Sequence, residues 1–268
     1  MIKQNFKIQE LKKLSNYKKL RTIGDAGKNK HYIYKYMNVE RALEFISKKQ
    51  LRFVQPKKWS DSYENRFYIA DYSNLKSYKP PEKIYSTCTT LNKSSEAAWK
   101  MYSSGAKGLD GRCILFKMKR AIFLKCLDNY SLENKSSFYE GKVNYLFYDS
   151  LIDTIHLKNN PHFLDYFGEF NLEKYLNLLL IKRQAFEYEN ELRYFILEDE
   201  KTNNEYINVE FNVVELIDSI WFDEYCSEDE INLIRKICSE NKLKITPKKF
   251  SLHDKLDRDK IIKIDSIN

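Results

Sequence analysis

Phe186-Glu187-Tyr188-Glu189-Asn190-Glu191-Leu192-Arg193-Tyr194-Phe195-Ile196-Leu197 is the stretch on which the reading of this chain turns. Its second half is a run of large apolar and aromatic residues of strand length, which predicts a central strand buried in a sheet. Its first half carries Glu187, Glu189, Glu191 and Arg193 at a spacing of two. Side chains on a strand alternate between faces, so that spacing places all four on one face. Carboxylates crowded together repel, which raises the proton affinity of at least one of them, and Arg193 offsets part of that cost. Such a cluster beside an apolar strand is a candidate catalytic site. A surface ladder of ion pairs on an edge strand would give the same spacing.

Working outward, the elements on either side predict an α+β chain. Toward the C-terminus, Tyr206 to Phe211 reads as a strand, and Ile217 to Phe222 as another. Ser227 and Glu230 form a capping box for a helix presenting Ile231, Ile234 and Cys238, and Leu243 to Thr246 reads as a last strand. The end is thus a strand-helix-strand unit. Upstream, Asn171 starts a helix expected to run to about Arg183. Cys113 to Met118 and Val143 to Tyr148 read as strands. Ile84 to Thr90 alternates as a strand, and Ser94 or Ser95 caps a helix holding Ala97, Ala98, Trp99 and Tyr102. Near the start, His31 to Tyr36 is a short strand, Asn38 caps a helix with Val39, Ala42, Leu43 and Ile46 on one face, and Leu51 to Val54 follows as a strand ended by Pro56. Residues 1–30 form a basic leader, with Lys12, Lys13, Lys18, Lys19 and Arg21 crowding a potential helix. Residues 31–268 show no convincing linker and read as a single domain.

Composition narrows the class. The chain has 268 residues, 43% hydrophobic and 15% aromatic, with 20 Tyr and 16 Phe. A chain that apolar folds rather than staying disordered. No apolar run approaches the roughly 20 residues of a membrane helix, and Met1 to Phe6 has no signal-peptide character, so a soluble cytoplasmic protein is expected. The 5 Cys are widely spaced, without a CxxC pair, and the 4 His stand apart from one another and from Cys, so no metal site is expected. The net charge of +8 favours an anionic partner such as nucleic acid or a dinucleotide, although a Lys-rich chain from an AT-rich genome would carry the same excess.

Two further constellations stand out. The loop from Trp59 to Glu64 joins an aromatic ring to Asp61 and Glu64, which suits stacking on a ring and accepting hydrogen bonds from sugar hydroxyls; as a plain turn it needs no ligand. The strands Tyr34-Lys35-Tyr36 and Ser86-Thr87-Cys88-Thr89 could turn their polar side chains into one cleft, although Tyr on a strand usually serves packing.

The order of these pieces resembles an uncharacterised bacterial family of defence and mobile-element loci. Its pattern opens with a Tyr-x-Tyr strand, here Tyr34-Lys35-Tyr36, and a short helix, here Arg41 to Ile46. A Pro-x-x-Phe-Asn-Asp-Pro-x-Glu loop follows, answered by Pro56-Lys57-Lys58-Trp59-Ser60-Asp61-Ser62-Tyr63-Glu64. Then come a Cys or Ser strand at Thr87-Cys88-Thr89, a Trp-x-x-Tyr helix at Trp99 to Tyr102, and a Gly leading into a strand at Gly111 to Phe116. Last is Lys-x-x-x-Trp-x-x-Glu-x-Glu-x-Arg, answered by Lys182, Phe186, Glu189, Glu191 and Arg193. Ser60 and Ser62 replace the pattern's Asn and Pro, and Phe186 replaces its Trp.

More distantly the layout is similar to ADP-ribosyltransferases, including toxin components of antiphage systems. Tyr34 or Lys35, then Ser86 with Thr87, then Glu189-Asn190-Glu191 fill that group's three positions in order. The resemblance implies a split mixed β-sheet with flanking helices, and cleavage of NAD with transfer of ADP-ribose to nucleic acid or protein. An antitoxin or chaperone partner is also implied. In that reading Glu191 stabilises the charge developing on the ribose, as a carboxylate does in glycoside cleavage, and Glu189 orients or deprotonates the acceptor. Tyr34, Tyr36, Trp59 or Tyr102 sandwiches the nicotinamide, and Lys35 or Arg193 holds the diphosphate. Glu191→Gln is then expected to keep the fold and abolish transfer. Two rival readings remain: a metal-dependent nuclease using Asp61, Glu64, Glu189 and Glu191, and a non-catalytic nucleic-acid or protein-binding module.

Overall fold

Backbone hydrogen bonding and burial build the sheet outward from the apolar run at 191–197. The computed structural model describes residues 21–23, 30–59, 61–69, 81, 83–93, 95–104, 112–146, 171–198 and 204–250. In chain order these form β1 (Arg21–Ile23), β2 (Tyr32–Asn38), α1 (Val39–Lys48), β3 (Gln50–Val54), a 3₁₀ turn (Pro56–Lys58), α2 (Ser62–Ile69), β4 (Ile84–Thr90), α3 (Glu96–Ser104), β5 (Cys113–Lys119), α4 (Arg120–Glu133), β6 (Ser137–Lys142) and β7 (Asn144–Leu146). Then follow α5 (Leu172–Leu178), β8 (Ile181–Arg183), a second 3₁₀ turn (Gln184–Glu189), β9 (Glu191–Leu197), β10 (Tyr206–Glu210), α6 (Val213–Leu216), β11 (Ile217–Phe222), α7 (Glu228–Glu240) and β12 (Lys248–Lys249). The fold is α+β, with a mainly antiparallel sheet and flanking helices.

The main sheet runs β1-β6-β9-β4-β2-β5-β11-β12, and β3 with β10 branches from β4. β1 on β6 and β12 on β11 are parallel; the other pairs are antiparallel. β9 is central, paired along its length with β4 on one side and β6 on the other, and every one of its residues is buried. β4 and β2 share a single registered pair, Tyr34↔Thr90, while β2 pairs along its whole length with β5. Beyond that pair β4 turns toward β3, meeting it at Val54↔Ser86. The sheet therefore forks between β2 and β4. The Lys35 ammonium bridges the fork, donating to Thr87 Oγ1 at 3.1 Å and to the Cys88 carbonyl at 2.6 Å.

Two apolar layers pack on the sheet. On one face Leu192, Tyr194 and Ile196 join Ile33, Phe116, Phe45, Phe123 and Ile234, so α1, α4 and α7 cover it. On the other, Ile84, Phe195 and Leu197 meet Tyr175, Leu176 and Leu179, and Trp59 and Tyr63 close the layer. A smaller cluster of Tyr34, Trp99, Cys113 and Leu115 seats α3. Helix starts follow the caps legible in the sequence: the Asn38 side chain accepts from Arg41 N–H, and Ser227 with Glu230 forms the full capping box.

Several boundaries differ from expectation. The helix from Asn171 stops at Leu178, and Ile181–Arg183, expected inside it, is a strand parallel to β7. Glu187 and Glu189 are not on a strand but on the second 3₁₀ turn, which ends at Asn190 in the left-handed region (φ 42°). The run Leu243 to Thr246 is not a strand; the pairing with β11 comes later, at Lys248–Lys249. α4 and β6 were not foreseen. Of the basic leader, residues 1–20 and 24–29 lie outside the described residues, while Arg21–Ile23 pairs with β6. No helix among the described residues is long and apolar enough to cross a membrane.

Candidate functional site

The start of β9 gathers charged side chains from four segments of the chain into one buried cluster. Glu191 and Arg193, two apart on β9, share its face with Cys88 of β4, since Thr90↔Glu191 and Cys88↔Arg193 are paired. Arg193 is 0% exposed. Its Nε donates to Glu191 Oε1 at 2.8 Å, its Nη2 to Glu191 Oε2 at 3.1 Å and also to Glu64 Oε2, and its Nη1 to the Leu179 carbonyl at 2.7 Å. The Trp59 ring lies 4.3 Å from the guanidinium. Close approach of the 179–180 turn depends on Gly141, paired with Arg193: a Cβ there would stand 2.2 Å from a Leu180 methyl.

Lys182 of β8 is the second cation. Its ammonium lies 2.5 Å from Glu189 Oε2, 3.1 Å from Glu191 Oε2 and 3.2 Å from Glu64 Oε1. Three carboxylates thus surround two buried cations, leaving one negative charge in excess when all are ionised. Glu64 arrives on α2, whose first turn is set by Asp61: its carboxylate accepts from Tyr63 N–H at 2.8 Å and its carbonyl from Glu64 N–H at 3.0 Å. Glu189 is placed by hydrogen bonds around its own backbone. Thr90 Oγ1 donates to the Glu189 carbonyl, and Asn92 holds both the Tyr188 carbonyl and the Asn190 amide.

The cluster tunes its two neighbouring acids in opposite directions. Burial works against ionising Glu191, but Arg193, Lys182 and the Cys88 thiol outweigh it and hold the carboxyl well below the usual carboxylate range. Burial pushes Glu189 up to about 6, against the pull of Lys182 and with help from Glu191 and Glu64. Lys182, despite burial, is held strongly protonated by Glu191, Glu64 and Glu189. Across the fork, burial lowers the Lys35 pKa, with Cys88 and Glu191 opposing.

Of the residues singled out in the sequence, Trp59, Glu64, Glu189, Glu191 and Arg193 converge here with Lys182. Glu187 is exposed and outside the cluster. Glu191 is 5% exposed with both oxygens engaged, and Glu191→Gln would remove one of the two carboxylates that hold the buried Arg193 guanidinium, so that substitution is expected to cost stability as well as charge. Every nitrogen of Arg193 makes a hydrogen bond within the protein, and two of the three Lys35 donors bridge the fork. Tyr34 is buried in the α3 cluster, on the opposite face of β2 from Lys35. Thr87 lies on the opposite face of β4 from Cys88 and serves Lys35. Ser86 is 1% exposed, and its hydroxyl has no hydrogen-bond partner among the described residues. Tyr36 stacks on Tyr102 with centroids 5.0 Å apart and planes 5° from parallel. Tyr102 is 45% exposed, yet burial and the charges of Glu189 and Glu191 push its phenol well above the ordinary range. Asp61 turns to Arg183 at 2.8 Å rather than to Glu64, and Lys182 occupies the space between the other three carboxylates. No group of three His, Cys, Asp or Glu among the described residues is arranged to hold a metal ion, as the nuclease reading would need.

Sequence reasoning missed the weight of Lys182, which entered only as one member of a pattern, and it missed Arg183 altogether. Both follow the apolar run Leu178 to Ile181 with no local signal that the chain turns there. No family model, curated protein or solved structure matches the chain.

Proposed function

We propose that this chain is an ADP-ribosyltransferase-like enzyme that breaks the nicotinamide–ribose bond of NAD and passes ADP-ribose to a macromolecular acceptor such as nucleic acid. One observation carries the reading: Glu189 and Glu191, two residues apart, converge on the Lys182 ammonium, Glu191 buried and bonded through both oxygens and Glu189 at its edge, so that burial raises the proton affinity of the one while Arg193 and Lys182 lower that of the other. Two acids whose environments separate their pKa values have separate tasks. Glu191 supplies fixed negative charge. Glu189, at the rim, has a single ion-pair partner among the described residues and is the group that meets substrate, accepting the proton of the acceptor. The contact with the ribose first assigned to Glu191 thus passes to Glu189, and Glu191 becomes a positioning residue acting through its field.

The surroundings fit the substrate end of the bond. Its cleavage builds positive charge on the sugar, and Glu189, at the edge of the cluster, is the carboxylate that can face that charge. The part-exposed ring of Tyr102, backed by Tyr36, is a stacking platform beside the carboxylates. The three strands named by the resemblance, β2, β4 and β9, are neighbours in the sheet, and the fork between β2 and β4 supports a split-sheet reading of the fold. The toxin or antiphage setting, and an antitoxin or chaperone partner, belong to the same proposal and rest on the resemblance alone.

The test is transfer of label from adenine-labelled NAD. The protein is incubated with RNA, DNA or a protein extract, and acceptor-bound label is counted for the wild type and Glu189→Gln. Label on one acceptor, lost in the variant, is the expected result. Chelator-sensitive strand cutting without NAD would replace this reading with the nuclease.

A further inference from the structure

Four cationic side chains stand around the carboxylates, and three of them are committed inside the protein. Arg193 and Lys182 are locked among Glu64, Glu189 and Glu191, and Lys35 bridges the forked strands. Arg183 differs. Its side chain is 32% exposed, and its guanidinium lies 4.7 Å from the Tyr63 ring centre and 5.0 Å from that of Phe186. Asp61 takes one nitrogen, Nη2, at 2.8 Å. Arg183 Nε is buried without a hydrogen-bond partner among the described residues. An unpaired donor costs free energy unless an acceptor completes it, and on a part-exposed guanidinium a phosphate oxygen is such an acceptor.

We infer that Arg183, flanked by Tyr63 and Phe186 and oriented by Asp61, is the diphosphate-binding residue of this site. The inference rests on the NAD-cleaving reading and deepens it. A planar guanidinium held between aromatic neighbours is pre-oriented, so little freedom is lost when it grips a phosphate through two nitrogens. Phe186 ties this position to the carboxylates: Lys182 Nζ and Arg183 Cζ lie 4.9 and 5.0 Å from the centre of the same ring. β2 carries no Arg, and two donors of its Lys35 are taken by the fork, so the anion site is supplied by β8 instead.

The chemistry recognised is that of phosphate oxygens, which a free dinucleotide and a nucleic-acid strand both present; the isolated diphosphate is the ligand assigned here. The experiment titrates inorganic pyrophosphate, ADP-ribose and a hexathymidylate into the full-length protein by calorimetry, with melting temperatures as a folding control. Pyrophosphate and ADP-ribose should bind the wild type and lose about tenfold or more in affinity in Arg183→Gln, the consequence of deleting a charged hydrogen-bond donor. Arg183→Lys should recover only part of the loss, because an ammonium lacks the fork. Asp61→Asn keeps an oxygen for Arg183 and for the Tyr63 N–H, so it should weaken binding by less than Arg183→Gln does. Equal affinity in wild type and Arg183→Gln, binding confined to the hexathymidylate, or an Asp61→Asn loss as large as that of Arg183→Gln would each overturn the assignment. Arg183-dependent ADP-ribose binding without NAD cleavage would leave this inference standing and sink the enzymatic reading. Cleavage with a KM unchanged in Arg183→Gln would do the reverse.

Discussion

Replacing Glu189 by Gln should make the protein more stable at neutral pH, and the gain should vanish in acid. In the folded chain this carboxyl titrates at about 6 against an ordinary value of 4.5, because it is buried beside Glu191 and Glu64. A tenfold change in proton affinity is worth about 1.4 kcal/mol, so ionising Glu189 costs about 2 kcal/mol more in the folded than in the unfolded chain. The sign follows from proton counting. A carboxyl with a raised folded value binds more proton in the native state across the window from 4.5 to about 6, so stability falls as pH rises through it. The penalty is complete above that window and absent below it. Gln carries no such penalty and still offers Lys182 an acceptor oxygen. Urea unfolding at pH steps from about 4 to about 7.5 should therefore show the variant-minus-wild-type stability rising by about 2 kcal/mol. A difference that stays flat, or falls, over that range would show that Glu189 is not held near neutrality by its neighbours, and the division of labour between the two acids would go with it.

Glu191→Gln should behave in the opposite sense, costing about 3–5 kcal/mol at neutral pH by leaving the buried Arg193 short of a counter-charge, a deficit that stays flat above the ordinary value of 4.5 and shrinks only as pH falls below it; urea unfolding carried down to about pH 3 measures it. Trp59→Ala should lower stability by about 2 kcal/mol in denaturant unfolding, through the lost ring over a desolvated guanidinium. Gly141→Ala should cost about 1–3 kcal/mol, because the added methyl displaces Leu180 from the turn whose Leu179 carbonyl receives Arg193, and a thermal melt reads the drop directly.

The parts of the fold legible in the sequence were those with local causes. The buried half of β9 shows itself as an apolar run, and α1 and α7 announce themselves through Asn38 and the Ser227–Glu230 box. α4 gives no such warning: it follows β5 directly, with Lys119 at the cap position and no side-chain cap. The helical pattern from Asn171 runs on in sequence past Leu178, but a long-range pairing with Asn144–Leu146 claims Ile181–Arg183 as a strand. That pairing is what delivers Lys182 to the carboxylates, which is why its role was invisible from spacing. Glu189 and Glu191 were correctly drawn together, but for a partly mistaken reason. Glu191 and Arg193 share a strand face, whereas Glu189 is carried in by a 3₁₀ turn and the left-handed Asn190. The fork of the sheet, bridged by Lys35, likewise arises from pairings between distant segments that no local pattern records.

Release of free nicotinamide is the most direct check on the whole account. Purified protein is mixed with NAD labelled in its nicotinamide ring, and liberated nicotinamide is separated and counted from about pH 5 to about pH 8. The account predicts release that rises as pH passes through about 6 and falls to background in a folded Glu189→Gln variant. Undiminished release by that variant, or no release by the wild type in the presence of each class of acceptor, would contradict it.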